Sequence, residues 1–145
     1  MQKTFEDEFV ELQSGLISLC LELLESENVE ANKIYVYCSN EKKSKSFNAF
    51  FEVNGEVKTP GGLKMPDELV FQFLKVGLDD LKNLDAICTQ YGMPKPTEMK
   101  LIYDVRTERF EADYKYKKVC SGWRGKDPSQ VFMEWVSEVR GNRAT

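Results

Sequence analysis

An α+β domain is predicted: an antiparallel sheet of about five strands with three packed helices, in the order α-β-β-(β)-α-β-β-α. Three observations predict it. Residues Glu98 to Tyr116, EMKLIYDVRTERFEADYKY, alternate apolar or aromatic with polar residues through two arms that meet at a turn. Asn54-Gly55, the strongest short hairpin signal in the chain, separates two further extended segments. Three stretches have apolar residues at helical spacing, and each opens with a cap signal at Thr4, Pro66 or Asp127.

The first helix is expected from Thr4, its N-cap, to about Glu25. Phe5, Phe9, Leu12, Leu16, Leu19 and Leu23 recur at steps of four and three and form one apolar stripe. Val10, Ile17, Leu21 and Leu24 form a second. Such a helix is either buried on two sides or leaves one stripe free for a partner, and two-sided burial is the expectation.

NVEAN ends that helix. KIYVYCS is a strand that directs Ile34, Val36 and Cys38 to one face and Tyr35 and Tyr37 to the other. The polar run NEKKSKS reads as a connection, residues 46 to 53 as the next strand, and residues 56 to 59 as a short return strand. In TPGGLKMP the two glycines lack the Gly-Lys-Ser/Thr ending of a phosphate loop, so phosphate binding is not expected.

Pro66 at the first helical position, with Asp67 and Glu68 in the first turn, announces a second helix over 66–91. It packs through Leu69, Val70, Phe73, Leu74, Leu81, Leu84 and Cys88. GMPKPT leads to the hairpin. With its turn centred on Thr107-Glu108, Val105 faces Phe110, Tyr103 faces Ala112, Leu101 faces Tyr114 and Met99 faces Tyr116. On the charged face Asp104 is then expected across from Glu111, with Asp113 diagonal to it, and Lys100 across from Lys115. Like charges in register are mildly destabilising, so that face is either wet and neutralised by Arg106 and Arg109 or kept for binding. A third helix begins with Asp127 as cap and Pro128 at its first position, and Gly141 is expected to close it. Its apolar stripe is Val131, Phe132, Trp135 and Val139; Trp123, beside Arg124 and Lys126, covers a core edge or anchors an interface.

The chain of 145 residues, 41% hydrophobic, is one domain over 1–145 by length. It can bury a core without disulfides or metal. Residues 1–31 hold eight carboxylates and Lys3 alone, a net of −7, while the rest carries +3, giving −4 overall. Acidity concentrated in the first helix disfavours nucleic acid and suits a basic partner. The N-terminus places carboxylates where a signal peptide needs basic residues, and LISLCLELL is too short to span a bilayer, so no membrane partner and a cytoplasmic location are expected. Cys20, Cys38, Cys88 and Cys120 have neither metal-ligand nor redox spacing and read as reduced thiols.

Catalytic chemistry is thin. The chain has no histidine, which excludes Ser-His and Cys-His pairs and histidine-bearing zinc sites. Asp104, Glu111 and Asp113 lie on a sheet face that offers too few convergent oxygens for a divalent cation. No catalytic, cofactor-binding or metal-ligating residue is assigned, and no cofactor is expected. By elimination the chain binds something, most simply another protein.

The succession KIYVYCS, FNAFFEV, PTEMKLIYD and RFEADYKY, from Lys33 to Tyr116, resembles the YezG-like immunity proteins, bacterial antitoxins against secreted nuclease toxins. The best part of the resemblance is MKLIYD with FEADYKY. It implies a non-catalytic protein, monomer favoured, that binds a cognate basic toxin domain through acidic surface matching the nuclease's substrate groove. The candidate surfaces are then the acidic edge of the first helix (Glu8, Glu11, Glu22, Glu25) and the Asp104, Glu111, Asp113 face, with Trp123 as a further anchor. A rival of another class is an acidic type III secretion-type chaperone, dimeric through the second stripe of the first helix and holding an effector segment.

Overall fold

The computed structural model describes residues 3–41, 44–117 and 127–144. The elements follow the predicted order: α1 (Phe5–Ser26), β1 (Lys33–Glu41), β2 (Ser44–Val53), β3 (Glu56–Lys58), α2 (Asp67–Tyr91), β4 (Glu98–Asp104), β5 (Arg109–Lys115) and α3 (Pro128–Ala144). The strands form one antiparallel sheet in the order β3-β2-β1-β4-β5.

Local chemistry sets the helix ends. The Thr4 hydroxyl accepts from Asp7 N–H and the Asp7 carboxylate accepts from Thr4 N–H, so a reciprocal capping box opens α1. Asp127 and Gln130 do the same for α3. Pro66 stands just outside α2 as its cap residue instead of at its first position, and Gly92 in the left-handed conformation ends it. Gly141 does not close α3, which continues to Ala144. Asn54 (φ 51°) and Gly55 (φ 81°) make the tight β2–β3 turn. The run read as a polar connection is mostly strand: β1 and β2 stay in register to Glu41↔Ser44, because ladder hydrogen bonds carry polar residues as readily as apolar ones.

Strand alternation divides the core in two. Ile34, Val36, Cys38, Phe47, Ala49, Phe51, Met99 and Leu101 face α1 and α2. On the opposite face Tyr35, Tyr37, Phe50 and Val57 pack against Phe132, Trp135 and Val136 of α3. Tyr35 stacks on Phe50 at 4.5 Å, and Trp135 meets Phe50 edge-on at 5.0 Å. The second stripe of α1 is split by this packing: Ile17 and Leu24 are buried, whereas Val10 is 56% and Leu21 36% exposed. Helix α2 comes so close to β2 at Gly77 that a Cβ there would lie 2.1 Å from the Phe47 ring.

The β4–β5 hairpin differs from the sequence expectation by two residues. Tyr103 pairs with Phe110, Leu101 with Ala112 and Met99 with Tyr114, leaving Val105, Arg106, Thr107 and Glu108 as a four-residue turn. A shift of two keeps every side chain on its expected face but changes every partner. Asp104 now stands across from Arg109, Ile102 from Glu111, Lys100 from Asp113 and Glu98 from Lys115. The expected Asp104–Glu111 and Lys100–Lys115 pairings do not form. The cause lies in the turn: one Asp104 carboxylate oxygen accepts from Arg106 N–H (3.0 Å) and Thr107 N–H (3.1 Å), and Glu108 adopts φ 60°. An aspartate that caps its own turn prevents the strand pairing from running on.

Candidate functional site: the two flanks of strand β5

Strand β5 is the last strand of the sheet, and its two flanks have different chemistry. On the α3 side lies an open groove of about 290 Å³ lined by Lys100, Ile102, Glu111, Ala112, Asp113, Trp135 and Glu138. Glu111 and Asp113 point to this side by strand alternation, and Glu138 comes from α3, one turn after Trp135. Three carboxylates therefore surround an aromatic side chain. The Lys100 ammonium lies 5.4 Å from the Trp135 ring centre and 4.0 Å from Glu98. Arg109 lies 3.7 Å from Glu111, both well exposed.

The floor beneath is held by Glu98. It is only 2% exposed, accepts a 2.9 Å hydrogen bond from the Tyr37 hydroxyl, and has Lys115 at 3.5 Å. A buried carboxylate with a hydroxyl donor and two nearby ammonium groups is satisfied. This network ties β1, β4 and β5 together under the groove.

On the α1 side the hairpin borders two hollows. Ser14, Ile17, Ser18, Leu21, Tyr103 and Phe110 line one of about 220 Å³. The other, about 770 Å³, has Leu21, Leu24, Val29, Ala31 and Val105 as apolar lining and Glu25 and Glu30 at its polar rim. The two share Leu21, and Phe110 is 40% exposed beside them. Tyr114 is anchored between α1 and the sheet: its ring meets Phe9 at 5.5 Å and its hydroxyl accepts from the Gln13 amide.

The predicted carboxylates thus divide. Glu111 and Asp113 share the α3 groove, while Glu25 borders the α1 hollow and Glu22 is exposed on the same helix. Glu11 pairs with Lys3 at 3.0 Å. Glu8 lies beside the Tyr91 hydroxyl, and its carboxylate raises that phenol's pKa. Asp104 is occupied by the turn; Thr107 N–H, and with it Arg106 N–H, hold its carboxyl below the usual aspartate value. It caps its own turn through one carboxylate oxygen and lies at the turn end of β4, outside the groove that Glu111 and Asp113 line. The open sheet face expected there is in fact partly roofed by α3. Trp123 lies outside the described residues. Sequence reasoning missed Glu138 and assigned Trp135 to the core alone; their i, i+3 spacing was visible, but not the sheet face on which α3 docks.

Among the described residues no cluster of three or more cysteine, aspartate or glutamate side chains is placed to hold a metal ion. Burial raises the Cys20 and Cys38 thiols far above their ordinary pKa, which leaves them protonated and inert. No helix among the described residues is long and apolar enough to cross a membrane. A comparison with protein-family models finds no match, and neither does a comparison with curated proteins.

Proposed function

We propose that this chain is an immunity protein: it binds a cognate basic toxin domain, a secreted nuclease, in the cytoplasm and neutralises it by protein–protein contact, without catalysis or cofactor. The observation that carries this reading is the α3-side groove, where Glu111, Asp113 and Glu138 surround Trp135. Carboxylates that share one open groove suit arginine and lysine on a protein partner: Glu111, Asp113 and Glu138 steer the approach and pair with the cations, while Trp135, largely buried, forms the back of the groove. A nuclease displays such cations in the groove that holds its polyanionic substrate.

The type III secretion-type chaperone would instead dimerise through Val10, Ile17, Leu21 and Leu24. Two of those four, Ile17 and Leu24, belong to the chain's own core, which leaves Val10 and Leu21 as a meagre interface.

The test is capture from the native lysate with a tagged chain, followed by identification of what co-purifies in stoichiometric yield. One basic toxin domain is the expected result. Recovery of an unfolded secretion effector bound to a dimer, or of no stoichiometric partner, contradicts the reading.

A further inference from the structure

Antiparallel pairing alternates residues that bond to one neighbour with residues that bond to the other. Asn40 N–H donates to Thr97 O and Val105 N–H to Asn32 O, so the odd-numbered residues 99 to 105 bond to β1, and Thr97 does so through its carbonyl while its N–H donates to Lys115 O. The even-numbered residues of β4 bond to β5, engaging Arg109, Glu111, Asp113 and Lys115. The backbone N–H and C=O groups of Phe110, Ala112 and Tyr114 are therefore directed away from the sheet. Among the described residues no strand pairs with them.

The opposite end of the sheet is managed differently. Strand β3 has three residues, and Arg140 of α3 donates to its Val57 carbonyl at 3.2 and 3.3 Å. Short edges and covering side chains block strand addition. Strand β5 has seven residues, and among the described residues no side chain is bonded to its outer edge.

We infer that the outer edge of β5 accepts an extended strand from a protein partner, with basic side chains on the α3 side and apolar side chains on the α1 side. This rests on the binding reading above and specifies its contact. Backbone hydrogen bonds to Phe110, Ala112 and Tyr114 would supply affinity and the flanking side chains specificity. Basic residues two apart on the incoming strand meet Asp113 and Glu111, with Glu138 behind them. The apolar residues between lie against Phe110 and the Leu21 hollow.

The charges also disfavour a second copy as occupant. Two β5 strands paired antiparallel about Ala112 bring Glu111 opposite Asp113 twice and Arg109 opposite Lys115 twice. Every charged pair in that full-length register is repulsive. A strand with two central cations turns the middle pairs attractive.

The experiment uses a synthetic heptapeptide, threonine-leucine-arginine-leucine-arginine-leucine-threonine, blocked at both ends. Its controls are a scrambled peptide of the same composition and a version with glutamate for arginine. Binding to the whole protein is measured by calorimetry, and the amide shifts by NMR. The alternating arginine peptide should bind at least tenfold more tightly than either control, with the largest shifts at Phe110, Ala112 and Tyr114. Ala112→Pro removes one outward N–H at an edge position where proline is tolerated, and should weaken binding at least tenfold. The double variant Glu111→Gln/Asp113→Asn, which leaves the backbone alone, should do likewise. Equal binding of the three peptides, no binding by any, or unchanged binding by the double variant overturns the inference. A captured toxin domain that binds Ala112→Pro as well as the parent, with that variant folded by circular dichroism, also overturns it while leaving the immunity reading standing. Edge binding of the peptide with no toxin captured does the reverse.

Discussion

Lys100 stands across the β4–β5 ladder from Asp113 and carries its ammonium 5.4 Å from the ring centre of Trp135. One lysine thereby links the hairpin to the helix that roofs it, in a groove whose other charges are acidic. Trp135 is 6% exposed and packs on Tyr35, Tyr37 and Phe50. Trp135→Ala should cost about 3–5 kcal/mol in urea unfolding. A double-mutant cycle with Lys100→Met should give a coupling of about 0.5–1 kcal/mol. A coupling near zero would mean that the ammonium is held by Glu98 alone.

The Asp104 turn predicts a pH dependence with a definite sign. The Asp104 pKa is lowered in the folded state from an ordinary value of 3.8 by Thr107 and Arg106 N–H groups, together with the nearby Lys33 charge. Its contribution is therefore present above the ordinary value and disappears as pH falls through the lower folded one. Asp104→Asn keeps an acceptor oxygen but cannot ionise. The parent should exceed this variant in urea midpoint at roughly pH 6 and lose the advantage by roughly pH 2.

Glu108 pays for the turn conformationally, because φ 60° crowds any side chain beyond glycine. Glu108→Gly should raise stability by about 0.5–1 kcal/mol without moving the β4–β5 register. Thermal unfolding measures the first part and backbone NMR the second.

Gly77 lets α2 pack directly on the Phe47 ring of β2. A methyl group there meets the Phe47 ring at 2.1–2.4 Å, and that ring also packs on Phe73 at 5.1 Å. Gly77→Ala should destabilise by about 1–3 kcal/mol despite alanine's better helix propensity. Phe47→Leu in the same chain should recover part of the loss, which distinguishes overcrowding from a backbone effect.

Much of the fold was legible in local patterns. Thr4, Asn54-Gly55 and Asp127 signalled helix starts and a turn through chemistry confined to a few residues, and strand alternation put Tyr35 and Tyr37 on the face opposite Val36. The hairpin register was less legible. Alternation has a period of two, so a slip of two residues leaves every face unchanged, and only the Asp104 side chain bonding its own turn decides between the alternatives. The candidate site was legible in Glu111 and Asp113, which alternation places together. Glu138 and Trp135 joined them only through the docking of α3, a non-local event that no stripe on α3 specifies. Asp104 looked like the third carboxylate because periodicity reports a side chain's face and not its hydrogen bonds.

The measurement that bears most directly on the central claim is a titration of the captured toxin domain's nuclease activity with the purified protein. Activity should fall to background at one equivalent, and Glu111→Gln/Asp113→Asn/Glu138→Gln should require at least a tenfold higher concentration. Undiminished activity at saturating protein, or inhibition by the triple variant within about threefold of the parent, close to the roughly 0.6 kcal/mol that thermal energy alone represents, would contradict it.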